Sequence, residues 1–271
     1  MLEPSGYTPG EPVAAEVVVC FGDGPERLYQ LTQWLPVLER LDGRHPVLVV
    51  TGDAVTYAQV RAVTPLRCVL APANRDLVDL YAAGDYKVAV YVNNSMLNFR
   101  SLSARRMLHV HVNHGESDKF SMASNQVKAY DRVFVAGPAA VHRYRSSLLG
   151  LDETKLVCVG RPQLDLRPAA VLPPTGRRTV LYAPTWEDDT AANDYTSVGK
   201  YGPAIVRAAL GLPDVRVVYK PHPRVALSQN PRVKAGHRQI LQLLAQAGAG
   251  DPGAGHRALP EGDILAGVSR L

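Results

Sequence analysis

The segment Arg106-Met-Leu-His-Val-His-Val-Asn-His-Gly-Glu-Ser-Asp-Lys119 passes from an alternating apolar run to a glycine-containing turn and then to a polar stretch. Its first half, Arg106–Val112, predicts a β-strand, and the polar half predicts a helix over Asp118–Tyr130. In an open α/β sheet, such a junction lies at the carboxyl end of a strand, where backbone N–H groups and polar side chains meet ligands. His114 is therefore the first candidate for a functional residue.

Apolar, Val-rich runs alternate with segments of helical periodicity on both sides of this junction. Repeated β–α units of this length indicate a parallel sheet covered by helices on both faces. We therefore predict an α/β, doubly wound, Rossmann-like N-terminal domain over residues 1–166. Its predicted strands are Val13–Phe21, Pro46–Thr51, Leu66–Leu70, Tyr86–Val92, Arg106–Val112, Arg132–Ala136 and Lys155–Val159, and its predicted helices are Glu26–Leu41, Thr56–Val63, Asp76–Ala83, Asp118–Tyr130 and Ala139–Leu149.

Residues 167–176 contain three prolines and a glycine, a composition typical of a linker. The alternation then restarts, which predicts a second Rossmann-like domain over 177–271. We expect that domain to be incomplete and marginally stable, because only two strands precede the glycine-rich stretch 248–255 and the apolar helix face around Ile240 and Leu244 lacks a partner. Its predicted strands are Thr179–Ala183 and Val215–Lys220, and its predicted helices are Tyr201–Leu210 and His237–Ala247.

The composition narrows the class of protein without deciding it. A net charge of +5 with mostly dispersed basic residues suits an anionic small substrate or an anionic membrane surface as well as nucleic acid, and we expect no nucleic-acid partner. We find no signal-like segment and no apolar run of about 18 residues, so we expect a cytoplasmic protein, with peripheral contact at the inner face of the plasma membrane. The three cysteines have no metal-binding spacing.

The histidines around the opening segment admit two kinds of chemistry. His114 could act as a general base at a strand end, with Gly115 letting a substrate approach the backbone, or it could cap a turn. His109 and His111 alternate with apolar residues and share one strand face, so together with His114 they suggest a Zn-dependent hydrolase. That pattern has Asn113 where the metallo-β-lactamase-like hydrolases have an aspartate, so we expect no metal.

Two strand ends of the second half also carry polar side chains. Lys220, His222 and Arg224 are separated by two prolines, and a rigid, extended chain with several donors suits the binding of a diphosphate. Thr185 follows the other strand and could hold a phosphate oxygen, while Trp186 could instead be a packing residue. The carboxylates at 187–189 could bind a sugar or a metal, or form a solvated loop. Gly22-Asp-Gly24 is a weak dinucleotide motif because the third glycine is missing.

Taken in chain order, these motifs resemble the CDP-glycerol glycerophosphotransferases of teichoic-acid synthesis. The resemblance covers about residues 90–265 and is carried by His114-Gly115 with Lys119, Gly160-Arg-Pro-Gln-Leu-Asp165, Leu181-Tyr-Ala-Pro-Thr-Trp186 and Lys220-Pro-His-Pro-Arg224. It implies a GT-B architecture of two domains with the substrate cleft between them. The family's next motif, Ser/Thr-Asp-x-Ser-Ser, is not reached, although 262–271 resembles the approach to it.

The resemblance also implies roles for individual residues. His114 matches the base that activates an acceptor hydroxyl, and His222 matches a histidine that contacts the donor diphosphate. Gly115 and Lys119 become substrate-binding residues, and Thr185, Lys220 and Arg224 become donor contacts. The implied substrates are CDP-glycerol, or another CDP-activated donor, and a membrane-linked polyol or glycan, with no cofactor. The alternatives are the Zn hydrolase and a non-catalytic domain that binds nucleotides or polyanions.

Overall fold

The computed structural model of the protein describes residues 6–8, 10–119, 122–167, 172–187 and 194–259. The chain divides into two compact units, Met1–Leu166 and Arg167–Leu271, which we call unit 1 and unit 2. In the described part, no helix is both long enough and apolar enough to cross a membrane. The α/β fold predicted from the sequence is confirmed, because each unit contains a sheet of parallel strands accompanied by helices.

Unit 1 is built on a seven-stranded parallel sheet with the strand order β3-β2-β1-β4-β5-β6-β7. Its strands are β1 (Val17–Phe21), β2 (Val47–Thr51), β3 (Arg67–Leu70), β4 (Val88–Tyr91), β5 (Leu108–His111), β6 (Arg132–Val135) and β7 (Leu156–Cys158). Neighbouring residues of β1 belong to different cores: Val18 packs in one apolar cluster, and Val19 in the other. The sheet is therefore covered on both faces, as its Val-rich strands predict.

The connections reverse direction between β1 and β4, the point of an open sheet at which ligands bind. The helices of unit 1 are α1 (Tyr29–Thr32), α2 (Leu35–Asp42), α3 (Ala54–Val63), α4 (Asn74–Ala83), α5 (Phe99–Leu102), α6 (Pro138–Ser147) and α7 (Pro162–Asp165), with short 3₁₀ helices at Pro25–Arg27, Met96–Asn98, Asn125–Ala129 and Glu153–Lys155. Asp53 caps α3 by accepting a hydrogen bond from the Thr56 N–H.

Two helix predictions in unit 1 are wrong. The single helix predicted over Glu26–Leu41 is three short pieces, and α2 restarts just before Pro36, which has no N–H to continue a helical ladder. The helix predicted over Asp118–Tyr130 is reduced, in the described residues, to the 3₁₀ helix Asn125–Ala129. There Ser124 accepts a hydrogen bond from the Gln126 N–H, a local bond that competes with a longer helix. Residues 120 and 121 lie outside the described residues.

Unit 2 contains a three-stranded parallel sheet in the order β10-β9-β8. Its elements are β8 (Arg178–Tyr182), α8 (Gly202–Leu210), β9 (Val215–Tyr219), α9 (Pro231–Gly250), the 3₁₀ helix Pro252–Ala254 and β10 (Arg257–Ala258). The prediction of two strands is therefore wrong, because β10 extends the sheet along β9. Ile240 and Leu244 of α9 are buried in the apolar core of the unit, so this helix face does have a partner. The segment 262–271 lies outside the described residues.

Candidate functional site

In unit 1, the backbone at the end of β5 holds His114 in a fixed position. Asn113 adopts a left-handed conformation with φ 53°, and its side-chain oxygen accepts a hydrogen bond of 2.8 Å from the His114 N–H. The Asn113 carbonyl accepts a second bond, 2.6 Å long, from the Trp34 indole. Asparagine tolerates this conformation better than most residues, and such strain persists where neighbouring groups fix it. The turn before His114 is thus anchored to Trp34, the residue that directly precedes α2.

The ring of His114 is mostly buried and neutral at physiological pH. It meets the edge of Tyr29, with 5.9 Å between ring centroids. Burial, together with the positive charge of Arg161, lowers the pKa of His114 to about 4. Its Nδ1 has no hydrogen-bond partner among the described residues. A neutral imidazole can accept a proton from a hydroxyl group, which is the chemistry of a general base.

The loop that follows His114 is tied to β6 and α6 by an ion-pair network. Glu116 accepts a 2.9 Å hydrogen bond from the Ala136 N–H, and Arg143 donates to Glu116 and Asp118 at 2.8 Å each. Around Gly115, no atom of the described residues other than its two chain neighbours lies within 4 Å of the position a Cβ would take, so the backbone is open on that side. Lys119 closes the described loop, and its N–H donates to the Ser117 hydroxyl at 3.4 Å.

The structure does not favour the Zn-hydrolase alternative. Both ring nitrogens of His109 are engaged, Nδ1 with the Tyr91 hydroxyl and Nε2 with the Ala104 carbonyl, each at 2.9 Å. His111 is fully buried and stacks on Tyr130, with 4.9 Å between centroids. Nowhere in the described ranges do three or more His, Cys, Asp or Glu side chains come together in a group that could hold a metal ion. His109 and His111 therefore serve as core residues.

A polar network at the β1–β4 reversal is the feature that sequence reasoning missed. The Asn93 side-chain amide donates to Asp23 and to Gln30, both at 2.9 Å, and the Asn98 amide donates to the Asn93 carbonyl at 2.7 Å. Gln30 in turn donates to the Tyr29 hydroxyl at 3.3 Å, which links the network to the neighbourhood of His114. The run Asn93-Asn-Ser95 directly after a Val-rich strand was the available signal.

In unit 2, β8 and β9 end side by side and bring together the polar residues that follow them. Tyr182 pairs with Tyr219, and the Lys220 N–H continues the ladder to the Tyr182 carbonyl at 2.9 Å. Lys220 is buried, which is uncommon for a lysine. The Thr185 carbonyl accepts a 2.8 Å bond from the Thr196 hydroxyl, which holds the turn after β8.

Two further residues of this cluster, His222 and Arg224, lie around the ring of Trp186. The Arg224 guanidinium lies over its ring, 3.7 Å from the centroid, and the His222 ring lies 6.0 Å from it. His222 Nδ1 accepts a 3.2 Å bond from the Arg224 N–H, so the proton of a neutral His222 resides on Nε2. Glu187 accepts a hydrogen bond from the Ser228 hydroxyl. Asp188 and Asp189 lie outside the described residues. The arrangement presents cationic donors beside an aromatic face, which suits a nucleoside diphosphate.

No model of a known protein family matches the chain, and no curated protein matches it. Among solved structures, the chain is similar to a complex of MnaA with UDP from S. aureus, at 14% identity and a TM-score of 0.51, over 93% of this chain and 70% of that one. It is also similar to a putative UDP-N-acetylglucosamine 2-epimerase from Listeria monocytogenes, at 12% identity and a TM-score of 0.50, over the same shares of the two chains.

A third likeness is to the wall teichoic acid polymerase TagF, at 11% identity and a TM-score of 0.46, over 80% of this chain and 59% of that chain. A score of that size is too low to support an argument. The likenesses to the two UDP-related proteins, at such low identity, show the fold alone. With the sheets of both units, they show a GT-B-like fold of two Rossmann-like units.

Proposed function

We propose that the protein is a transferase that moves glycerol phosphate, or a related polyol-phosphate or glycosyl group, from a CDP-activated donor to an acceptor hydroxyl. The acceptor is a membrane-linked polyol or glycan, and the product is part of a teichoic acid or similar cell-surface polymer. The protein works in the cytoplasm, at the inner face of the membrane. The observation that carries the proposal is the cluster of Lys220, His222 and Arg224 beside Trp186.

The cluster of unit 2 has the chemistry of a donor site. Arg224, held over the Trp186 ring, and Lys220, at the end of β9, supply positive charge to two phosphate groups. His222 Nε2–H adds a hydrogen bond, and Thr185 lies in the turn that follows the neighbouring strand β8. Such donors stabilise the charge that develops on a departing nucleotide. The S. aureus MnaA structure, which shares the fold, holds UDP, itself a nucleoside diphosphate.

His114 has the protonation state that the acceptor half of the reaction needs. The neutral imidazole takes the proton from the acceptor hydroxyl while the oxygen attacks the β-phosphorus that bears glycerol. The bond from that phosphorus to the bridging oxygen breaks, and CMP leaves with the electron pair and negative charge. Gly115 and Lys119 belong to the same loop and would contact the acceptor. Each step keeps phosphorus, protons and charge in balance without a cofactor.

Binding of cytidine nucleotides tests the donor assignment. CMP and CDP-glycerol should raise the melting temperature more than AMP, GMP or their diphosphates do, and a ligand at 100 times its dissociation constant stabilises the folded state by about 2.7 kcal/mol. Arg224→Gln should weaken the CMP effect, whereas Arg238→Gln, an exposed arginine on α9, should leave it unchanged. Equal shifts with all nucleotides would remove the cytidine assignment and leave general anion binding.

A further inference from the structure

Arg161 and Gln163 carry polar groups in unit 1 that the proposed reaction has not used. Arg161 follows β7 and Gln163 lies on α7, at the same edge of the sheet as His114 after β5. The guanidinium of Arg161 is half-buried, yet it makes no hydrogen bond and no ion pair with any residue that the structure describes. Gln163 is only 3% exposed, and neither atom of its amide group has a partner within the described residues.

The fold brings the segment that carries these residues toward His114. Helix α7 packs against α2, and α2 begins directly after Trp34, whose indole donates to the carbonyl of Asn113. The chain leaving β7 therefore returns over the carboxyl edge of the sheet toward the turn that holds His114. The positive charge of Arg161 acts on the His114 ring, because it contributes to the lowered pKa of His114.

Unmet donors of this kind are costly unless a ligand uses them. A buried amide without a partner destabilises the folded state, and a half-buried cation without an ion pair loses hydration without compensation. Glu116 is the carboxylate whose charge acts on Arg161, but its side chain already accepts hydrogen bonds from Arg143 and from the Ala136 N–H. Arg161 brings positive charge without an ion pair to this edge, and the Gln163 amide nitrogen is a donor without a partner in the described residues, so a group that fits is an oxyanion.

We infer that Arg161, Gln163 and His114 form a binding site for a phosphate oxyanion in unit 1, made by residues other than the donor contacts of unit 2. Arg161 pairs with the oxyanion, the Gln163 amide donates to it, and the ring of His114 lies alongside. Only the identity of the molecule that carries the phosphate rests on the proposed function: an acceptor that is a growing polyol-phosphate chain would carry it. A phosphate near His114 also raises the basicity of the imidazole, because a negative charge stabilises the imidazolium form.

Histidine NMR signals can report the two sites separately. The ring signals of His114 and His222 are first assigned by comparing the full chain with the variants His114→Gln and His222→Gln. Inorganic phosphate is then added to the full chain at pH 6.0, with the ionic strength kept constant by KCl. With a pKa of about 4, His114 is about 1% protonated at pH 6.0. If bound phosphate raises the pKa of His114 by about one to two units, the protonated fraction rises to about 10–50%. We expect a saturable movement of the His114 signal toward the protonated position.

The variants make the result specific. Arg161→Gln should abolish the response of His114 to phosphate, Arg161→Lys should retain part of it, and Gln163→Leu should weaken it. Arg145→Gln removes an exposed arginine that pairs with Glu153 on the surface of unit 1, so it should behave as the parent does. The Lys and Leu variants decide the matter if Arg161→Gln does not fold. An unchanged response in all three site variants would overturn the inference.

Comparing ligands identifies the source of the phosphate. Glycerol phosphate should move the His114 signal as inorganic phosphate does, whereas CMP should move the His222 signal at lower concentration. If phosphate moves only His222, the site in unit 1 does not exist, and the proposed transfer reaction is untouched. If it moves His114 while CMP moves neither histidine, the oxyanion site stands and the donor assignment fails.

Discussion

Replacing His111 should make unit 1 more tolerant of acid. His111 is fully buried against Tyr130, and burial lowers its pKa to about 4 from an ordinary value of 6.5. The unfolded chain therefore binds a proton at a pH at which the folded chain does not, and stability falls as the pH drops from 6.5 toward 4. His111→Phe keeps an aromatic ring beside Tyr130 and removes the titration.

The size of the effect follows from the two pKa values. At pH 5.5 the imidazole is about 91% protonated in the unfolded chain and about 3% protonated in the folded one. Between pH 7.5 and 5.5, this single group costs about 1.3 kcal/mol of unfolding free energy. His114, whose pKa is also about 4, costs a similar amount. The parent should therefore lose about twice as much stability from these two groups as His111→Phe does.

Urea denaturation at the two pH values measures this loss. Trp34 and Trp186 are the only tryptophans, so in a Trp186→Phe background the fluorescence of buried Trp34 follows the unfolding of unit 1. His45→Gln, which removes an exposed imidazole paired with Glu16, is the matched control and should retain the pH sensitivity of the parent. An equal pH-dependent loss in His111→Phe and the parent would show that His111 is not held neutral by burial.

Two further predictions separate the residues of the proposed reaction. His114→Ala should lower the rate of transfer by about 10²–10⁴-fold with little change in donor affinity, while His222→Ala should weaken donor binding as well. Single-turnover rates measure the chemical step, and calorimetry with CDP-glycerol measures donor affinity. Loss of donor binding in His114→Ala with intact chemistry would reverse the roles. Trp186→Leu should weaken CMP binding about two- to five-fold, because it removes a cation–π contact with Arg224 that contributes about 0.5–1 kcal/mol. An unchanged CMP affinity, measured by calorimetry, would show that the contact between Trp186 and Arg224 does not contribute to donor binding.

The sequence was most informative where secondary structure depends on burial alone. Val-rich runs such as Val17–Phe21 and Val47–Thr51 predict the parallel strands, because a strand covered on both faces is apolar throughout. β10 was missed because it is the two residues Arg257 and Ala258, which form a strand only through pairing with β9. The helix predicted after Asp118 was wrong because local serine contacts favour short turns there.

Site residues were predictable as residue types at strand ends, but their contacts were not. The sequence places His114 in the turn after an apolar strand and Lys220 at the end of another, and in the structure β5 ends at His111 and β9 at Tyr219, so both residues lie just beyond a strand. The stacking of Arg224 on Trp186 joins residues 38 positions apart, and no local pattern encodes it. Likewise, the sequence does not reveal that Arg161 and Gln163 lack hydrogen-bond partners in the described residues, because this depends on how α7 packs against α2.

Release of CMP from CDP-glycerol is the measurement that tests the proposed function most directly. The purified chain is mixed with CDP-glycerol and a lipid-linked polyol acceptor, and CMP is quantified over time beside His114→Ala and the surface control Arg238→Gln. We predict acceptor-dependent CMP release by the parent and by Arg238→Gln, reduced by about 10²–10⁴-fold in His114→Ala. Binding of CMP without any acceptor-dependent release would contradict the transferase and favour a non-catalytic nucleotide-binding protein.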